Sequence, residues 1–479
     1  MSSYHYSDIR AYSSCPKMFW QRLRADKTAH FSFTQMQMSM KDALIQKLKL
    51  VDYKMGERGM DAKLSLEWLK ENEWILNARF EFKDFRIKVP AIHVINDSIE
   101  VYFTSLSMHP KIEDRNYYAS ILWVLNNLGL NVQKVYVMYF NAEYTRFESL
   151  DVDACFKISS RFLKVSGYDQ GDILEIASKK NINILSQIEQ MKAIETLDEF
   201  DFELEDCPLG QRCSFFKECF PAFKEEPLSI SKRLLDRFMN PDDNSAPLNR
   251  SDYAQLQCYL NKQRFVDTFA LANWLKAYDQ EIISFVDFEW DTFGIPPFER
   301  MKPFDVMPFQ YSLHILDHNE LSHKEFLGEG DTRIPFIENL LNDMPSFGPI
   351  FAYNAFGAEV IRLNEIAEQY PQYKERIDAL TKRFVDLATL FISGVIYDEK
   401  MEGQFSLKQL IKVIDPSLTY ENLAISHGME AVAHYRIMQD EENDDISRQA
   451  LLSYCQMDTY AMVKVFEWVK QIQKEALNA

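Results

Sequence analysis

A chain of 479 residues is too long for one ordinary hydrophobic core and predicts two or three domains. Its 47% hydrophobic and 26% charged residues are those of a globular protein, and no apolar run reaches the roughly 18 residues a membrane helix needs. The formal charge of -19, most of it contributed after about residue 280, excludes a protein that coats phosphate backbones with lysine and arginine; any nucleic-acid site there has to be local or carried by bound cations.

The opening "MSSYHYSDIR" has neither the basic start nor the apolar centre of a signal peptide, so the expectation is a cytoplasmic protein with no membrane partner. Seven cysteines in such a chain argue against a disulfide scaffold. To about residue 222, helical patterns such as "KDALIQKLKL" alternate with β-like runs, "KVPAIHVI", "SIEVYFTSL" and "KVYVMYF", which reads as α/β. Cys15 stands alone near the start, whereas Cys207, Cys213 and Cys219 crowd into "CPLGQRCSFFKECF" and close this region. Residues 223–280 read as a helical linker bracketed by the loop-forming stretches "PAFKEEPLS" and "MNPDDNSAPLNRSD". From 281 a new pattern begins. "EIISFVDFEW", "PFQYSLHILD" and "GPIFAYN" read as strands, "AEVIRLNEIAEQY" as a helix, and the remainder as mostly helical, giving a compact α/β or α+β domain over 281–479.

Acidic residues mark the ends of these elements. Asp287 and Glu289, two apart on a strand, share one face, and two carboxylates on one face repel unless a cation lies between them. Asn354 follows the third strand, and Glu359 falls in the first turn of the next helix. Tyr454 and Asp458 are four apart in "LLSYCQMDTYAMVKVF" and so lie on one helix face, which could meet core, solvent or a metal. Asp386, after "RFV", is either a further acid of this group or a helix N-cap. Lys408 is either solvated or a phosphate contact, and His427 and His434 lack the spacing to an Asp that a catalytic base would need.

In order and context these stretches resemble the three motifs of the DEDD exonucleases, whose fold is RNase H-like: D-x-E in "DFEW", an N-x-x-x-(F/Y)-D counterpart in "NAFGAE", and Y-x-x-x-D in "YCQMD". The last defines the tyrosine branch, similar to RNase D and the proofreading domain of DNA polymerase I; the histidine branch would place His where Ser453 stands. Two departures occur in the second motif, Ala358 for the aromatic residue and Glu359 for the Asp. The resemblance implies two Mg²⁺ or Mn²⁺ ions, roughly 4 Å apart, with Asp287 bridging both, Glu289 and Asp458 holding the ion that activates water, Glu359 supporting the second, and Tyr454 orienting the water. The segments "RFVDLATLF" and "GQFSLKQLIKVIDPSLTYENLAISHGMEAVAHY" resemble those of bacterial RNase H-like exonuclease families.

The N-terminal region resembles the iron-sulfur RecB-like nucleases, through "YSDIRAYSSCPKMFW" and the one-plus-three arrangement of Cys15 with Cys207, Cys213 and Cys219. That implies a [4Fe-4S] cluster on four thiolates; structural Zn²⁺ and buried unliganded thiols are the alternatives. The family's Asp position holds Pro90 or Ala91 and no E-x-K occurs over Tyr102 to Ser105, so this half would be a degenerate RecB-like, restriction-endonuclease-type fold over residues 1–222. The fold expectation is therefore α/β throughout, a RecB-like half joined to an RNase H-like mixed sheet flanked by helices. The functional expectation is a 3′-to-5′ exonuclease on single-stranded ends, DNA favoured over RNA, in repair or phage defence. An inactive nucleic-acid-binding or assembly protein and an RNA-processing exonuclease are the alternatives.

Overall fold

The computed structural model describes residues 3–25, 34–36, 38–223, 230–239, 247–440 and 444–478. Parts of the expected linker, residues 224–229 and 240–246, lie outside the described residues. The chain divides into two compact units, one comprising residues 1–30, 36–224 and 294–304, the other residues 31–35, 225–293 and 305–479. No helix among the described residues is long and apolar enough to cross a membrane.

The N-terminal unit is built on a six-stranded mixed sheet, β1 (Lys54–Met55), β2 (Trp74–Phe82), β3 (Phe85–Ile95), β4 (Ser98–Thr104), β5 (Val132–Phe140) and β6 (Phe156–Ser159), in sequence order. Strands β2, β3 and β4 form an antiparallel meander, and helix α1 (Arg115–Asn127) is the crossover that lets β5 run parallel to β4. Period-2 burial in β3, with Phe85, Ile87 and Val89 buried, turns one apolar face towards α1. A second core, with Leu76, Ala91, Tyr102, Met138 and Phe156, covers the opposite face.

The C-terminal unit is organised around β7 (Ile282–Phe293), β8 (Val306–Asp317), β9 (Glu320–Leu327), β10 (Ile350–Ala352) and β11 (Phe384–Asp386). Their spatial order is β9-β8-β7-β10-β11; the first three are antiparallel neighbours, and β10 and β11 run parallel to β7. Three antiparallel strands extended by parallel ones at the central strand are the mixed sheet expected of an RNase H-like unit. The short strand Thr34–Gln35 adds parallel to the end of β7. Flanking helices are α2 (Arg333–Asp343), α3 (Glu359–Gln369), α4 (Leu407–Ile414), α5 (Gly428–Asp440) and the long α6 (Asp445–Asn478). Two further helices, Arg250–Asn261 and Thr268–Tyr278, contribute Ala254, Cys258 and Leu271 to the same core.

β7 is central and covered on both faces, which is why its sequence is an almost continuous apolar run. Its residues nevertheless sort by parity. Ile283 and Phe285 join the core formed with Met462, Phe466 and Val469 of α6, whereas Val286 and Phe288 join the core formed with Phe336 of α2 and Leu363 of α3. Burial of each such side chain is worth about 1.5–3 kcal/mol, so the alternation fixes which face every residue of β7 presents. Asp287 and Glu289 follow the parity of Phe285 and therefore stand on the α6 face.

Candidate metal centre

The register of α6 on the sheet is set by polar bonds. From β8, Gln310 Nε2 donates to the Leu451 carbonyl at 2.8 Å. Ser312 Oγ and the His314 Nδ1 lie 2.7 and 2.8 Å from Thr459 Oγ1. Ser312 is also 2.9 Å from His323 Nε2 on β9. Burial pushes the His314 imidazole down to about 4, with His323 adding to the effect, so it sits neutral and serves as a hydrogen-bonding spacer. Because Ser312 is paired with Asp287 and Gln310 with Glu289 across the strands, these bonds deliver the neighbouring turn of α6 to the two acids. An irregularity in the β7/β8 register follows immediately, between Glu289 and Trp290.

The consequence is a cluster. Asp287, Glu289 and Asp458 each offer a carboxylate oxygen, all within 4.8 Å of one another, and could hold a metal ion. Glu289 and Asp458 are buried and Asp287 half-buried. Burial first, then the negative charge of Asp458, Glu289 and Glu359, holds the Asp287 carboxyl well above the usual carboxylate range. Glu289 is raised by burial and Asp458, against a pull downward from Lys408. Asp458 is raised to about 6 by burial, opposed by hydrogen bonds from Tyr420 and Tyr454 and by Lys408. Acids this close in a buried setting share protons or a cation.

Glu359, at the start of α3, is 2% exposed, and its Oε2 has no hydrogen-bond partner. Burial raises its carboxyl to about 8, and its charge is felt at Asp287 and Glu289. A buried carboxylate oxygen without a partner costs roughly 1–3 kcal/mol or more, which a hard cation relieves, so the donor set fits divalent metal.

Tyr454 faces the same cluster and hydrogen-bonds Asp458. Burial and the three acids push its phenol up, so it stays protonated. Lys408 of α4 donates to the Ser426 carbonyl and to Tyr454 Oη at 3.4 Å, and its Nζ lies 4.9 and 5.2 Å from the rings of Tyr420 and Tyr454. Three participants carry no periodic signal in the sequence. Tyr420 donates to Asp458 Oδ1 at 2.7 Å. Cys455 Sγ lies 3.5 Å from Asp287 Oδ2, its thiol pushed up by burial. Gly428 opens α5 beside Glu289; a Cβ there would lie 3.7 Å from Glu289 Oε2 and meet nothing else within 4 Å. α5 itself is anchored by a two-bond pairing of Arg436 with the buried Asp291 at 2.8 and 2.6 Å.

Other sequence-predicted residues have different surroundings. Asp386 Oδ1 accepts from the Asn354 and Ala388 backbone N–H groups at 2.9 and 3.0 Å, so it ties β11 to the Asn354 turn. Asn354 is exposed at φ 66°, and Gly357 packs on it so closely that a Cβ would come within 2.6 Å of its Oδ1. His427 Nδ1 receives the Glu430 N–H at 3.3 Å, and His434 Nδ1 lies 2.9 Å from Ser447 Oγ. Of the four N-terminal cysteines, Cys15 is buried and Cys207, Cys213 and Cys219 are half-buried. Burial raises the Cys219 thiol, Cys213 and Cys15 add to that, and Gln21 Nε2 lies 3.7 Å from its sulfur. Among the described residues the carboxylate trio is the one His, Cys, Asp and Glu set within 4.8 Å, so the thiols do not form a single-ion site of that tightness.

Residues 284–406 match a family described as a domain of unknown function, DUF2779. No curated protein matches. Among solved structures the chain is similar to the family B DNA polymerase from the hyperthermophilic archaeon Pyrobaculum calidifontis, with a TM-score of 0.28 and 14% identity over 40% of this chain. The matched part spans 24% of the polymerase chain.

Proposed function

We propose that this chain is a metal-dependent 3′-to-5′ exonuclease acting on single-stranded nucleic-acid ends, with DNA favoured over RNA, and that the C-terminal unit carries the activity. The observation that supports this most is the trio Asp287, Glu289 and Asp458, buried or half-buried with mutually adjacent oxygens, together with the unpartnered oxygen of Glu359. Two Mg²⁺ or Mn²⁺ ions, when bound, supply Lewis acidity at the scissile phosphate and a water nucleophile available at neutral pH. Asp287, Glu289 and Asp458 would hold them, with Glu359 completing the set.

The remaining steps belong to the protein. Tyr454, kept protonated by burial, presents a hydroxyl that positions the attacking water instead of taking its proton. Lys408, 3.4 Å from that hydroxyl, fixes the phenol and offers positive charge to the phosphate. The oxygen of the water bonds to phosphorus as one of its protons passes to solvent, the bond from phosphorus to the preceding nucleotide's O3′ breaks, and that oxygen takes up a proton from solvent, releasing a nucleoside 5′-monophosphate. Cys15, Cys207, Cys213 and Cys219 would hold a [4Fe-4S] cluster in the N-terminal unit, a reading supported by the effect of Cys15 and Cys213 on the Cys219 thiol; the alternative, a single Zn²⁺, needs the thiols closer together than they stand.

The test is digestion of 5′-labelled single-stranded DNA and RNA by anaerobically prepared protein, with Mn²⁺ or EDTA, beside Asp458→Asn. The expected result is a metal-dependent ladder that the substitution removes. Intact substrate with folded, manganese-loaded protein would move the assignment to a non-catalytic nucleic-acid-binding protein.

A further inference from the structure

Asp458 is gripped from two sides by tyrosines that differ in their surroundings. Tyr420 sits in the short turn Tyr420–Asn422, 8% exposed, within an apolar cluster that includes Phe309, Ile425, Tyr435 and Leu451. Its hydroxyl donates to Asp458 Oδ1 at 2.7 Å, and its ring meets that of Tyr454 edge-on, centroids 6.4 Å apart at 65°. The Lys408 ammonium lies over both rings, and of the two hydroxyls it bonds that of Tyr454.

On the reading of the acidic cluster as an ion site, we infer that Tyr420 is a positioning residue for Asp458, dividing the work so that Tyr420 sets ion affinity and Tyr454 sets rate. An aspartate at a helix surface can rotate about χ2, and its oxygens exchange places unless a donor pins one of them. Tyr420 pins Oδ1 from the side of the apolar cluster in which its own ring is buried. With Tyr454 bonded to the same carboxylate, Tyr420 is the donor that fixes Oδ1, so Asp458 meets Asp287 and Glu289 with less ordering entropy opposing ion capture. Donors behind ligating carboxylates are typically worth about 10- to 100-fold in metal affinity.

The experiment is Mn²⁺ titration of the full-length protein followed by electron paramagnetic resonance of the free ion, with no nucleic acid present. Tyr420→Phe keeps the ring and removes the hydroxyl; it is expected to weaken Mn²⁺ binding about 10-fold, with nuclease activity regained at high Mn²⁺. Tyr454→Phe is expected to lose rate that no Mn²⁺ concentration restores. Tyr420→His returns an N–H donor and is expected to recover part of the affinity. Mn²⁺ affinity within about twofold of wild type in Tyr420→Phe, or affinity that tracks the melting temperature in both Tyr420 variants instead of the presence of a donor, overturns the inference. Because the readout is ion binding, weakened affinity in a chain that cuts nothing would uphold this role while removing the exonuclease reading.

Discussion

Both units of the chain set polar side chains into mixed sheets, but they treat acids in opposite ways. In the N-terminal unit Glu100 accepts from Tyr102 at 3.0 Å and from Tyr136, and lies 3.5 Å from His93 Nδ1, whose other nitrogen is 3.3 Å from Glu73. Trp74 stacks on the same His93 ring at 4.3 Å. That half-buried group finds its partners among its own neighbours and in solvent, with Glu73 exposed. In the C-terminal unit three acids converge and a fourth, Glu359, is felt by Asp287 and Glu289; the Lys408 ammonium is the cation facing Glu289 and Asp458, and one Glu359 oxygen has no hydrogen-bond partner. Partner bookkeeping separates a structural cluster from a site more sharply than acid count does.

The contrast can be broken by substitution. Asp287→Asn or Asp458→Asn is expected to reduce cleavage by roughly 10³-fold or more, since several kcal/mol of charge stabilisation depend on the ions those residues hold. Glu100→Gln, judged by the same labelled-oligonucleotide assay, is expected to leave the rate within about twofold. A loss at Glu100 comparable to that at Asp287 would erase the distinction between the two units. Next in size, Glu359→Gln is expected to cost about 10- to 100-fold in Mn²⁺ affinity, read by isothermal titration calorimetry.

The last expected effect concerns acid–base linkage and is read as stability, not as cleavage or ion affinity. Asp458 and Glu359 have folded-state pKa values near 6 and 8, both above their ordinary values. Between the unfolded and folded values the native state binds more protons, so the metal-free protein loses stability as pH rises from about 4 through 8, by on the order of a few kcal/mol. Melting curves at pH 5 and 8.5 are expected to show the lower melting temperature at pH 8.5 in EDTA. Mn²⁺ should remove most of that difference, because ion binding supplies the charge that the protons otherwise provide. A metal-free melting temperature that climbs steadily with pH would contradict the assignment of these groups.

Much of this was legible in the residues. The alternation of "SFVDFEW" puts Asp287 and Glu289 on one face, and the spacing of Tyr454 and Asp458 puts them on another, because strand and helix periods are local properties. The N-cap alternative for Asp386 is not what the structure shows: Ala388 caps the short helix Thr389–Ile392, while Asp386 Oδ1 accepts from the Asn354 and Ala388 backbone N–H groups. Tyr420 and Cys455 were not legible. Tyr420 lies in an irregular turn 38 residues before Asp458, and Cys455 reads as one more apolar position on α6. Nor could periodicity show that Ser312, His314 and Thr459 would lock the helix register, since that depends on pairing between elements about 145 residues apart.

The most direct test of the site is anomalous diffraction from crystals of the full-length protein grown or soaked in Mn²⁺. The account predicts a manganese peak bounded by carboxylate oxygens of Asp287, Glu289 and Asp458, lost in Asp458→Asn. Crystals that diffract well in saturating Mn²⁺ and show no peak among those three carboxylates would contradict it.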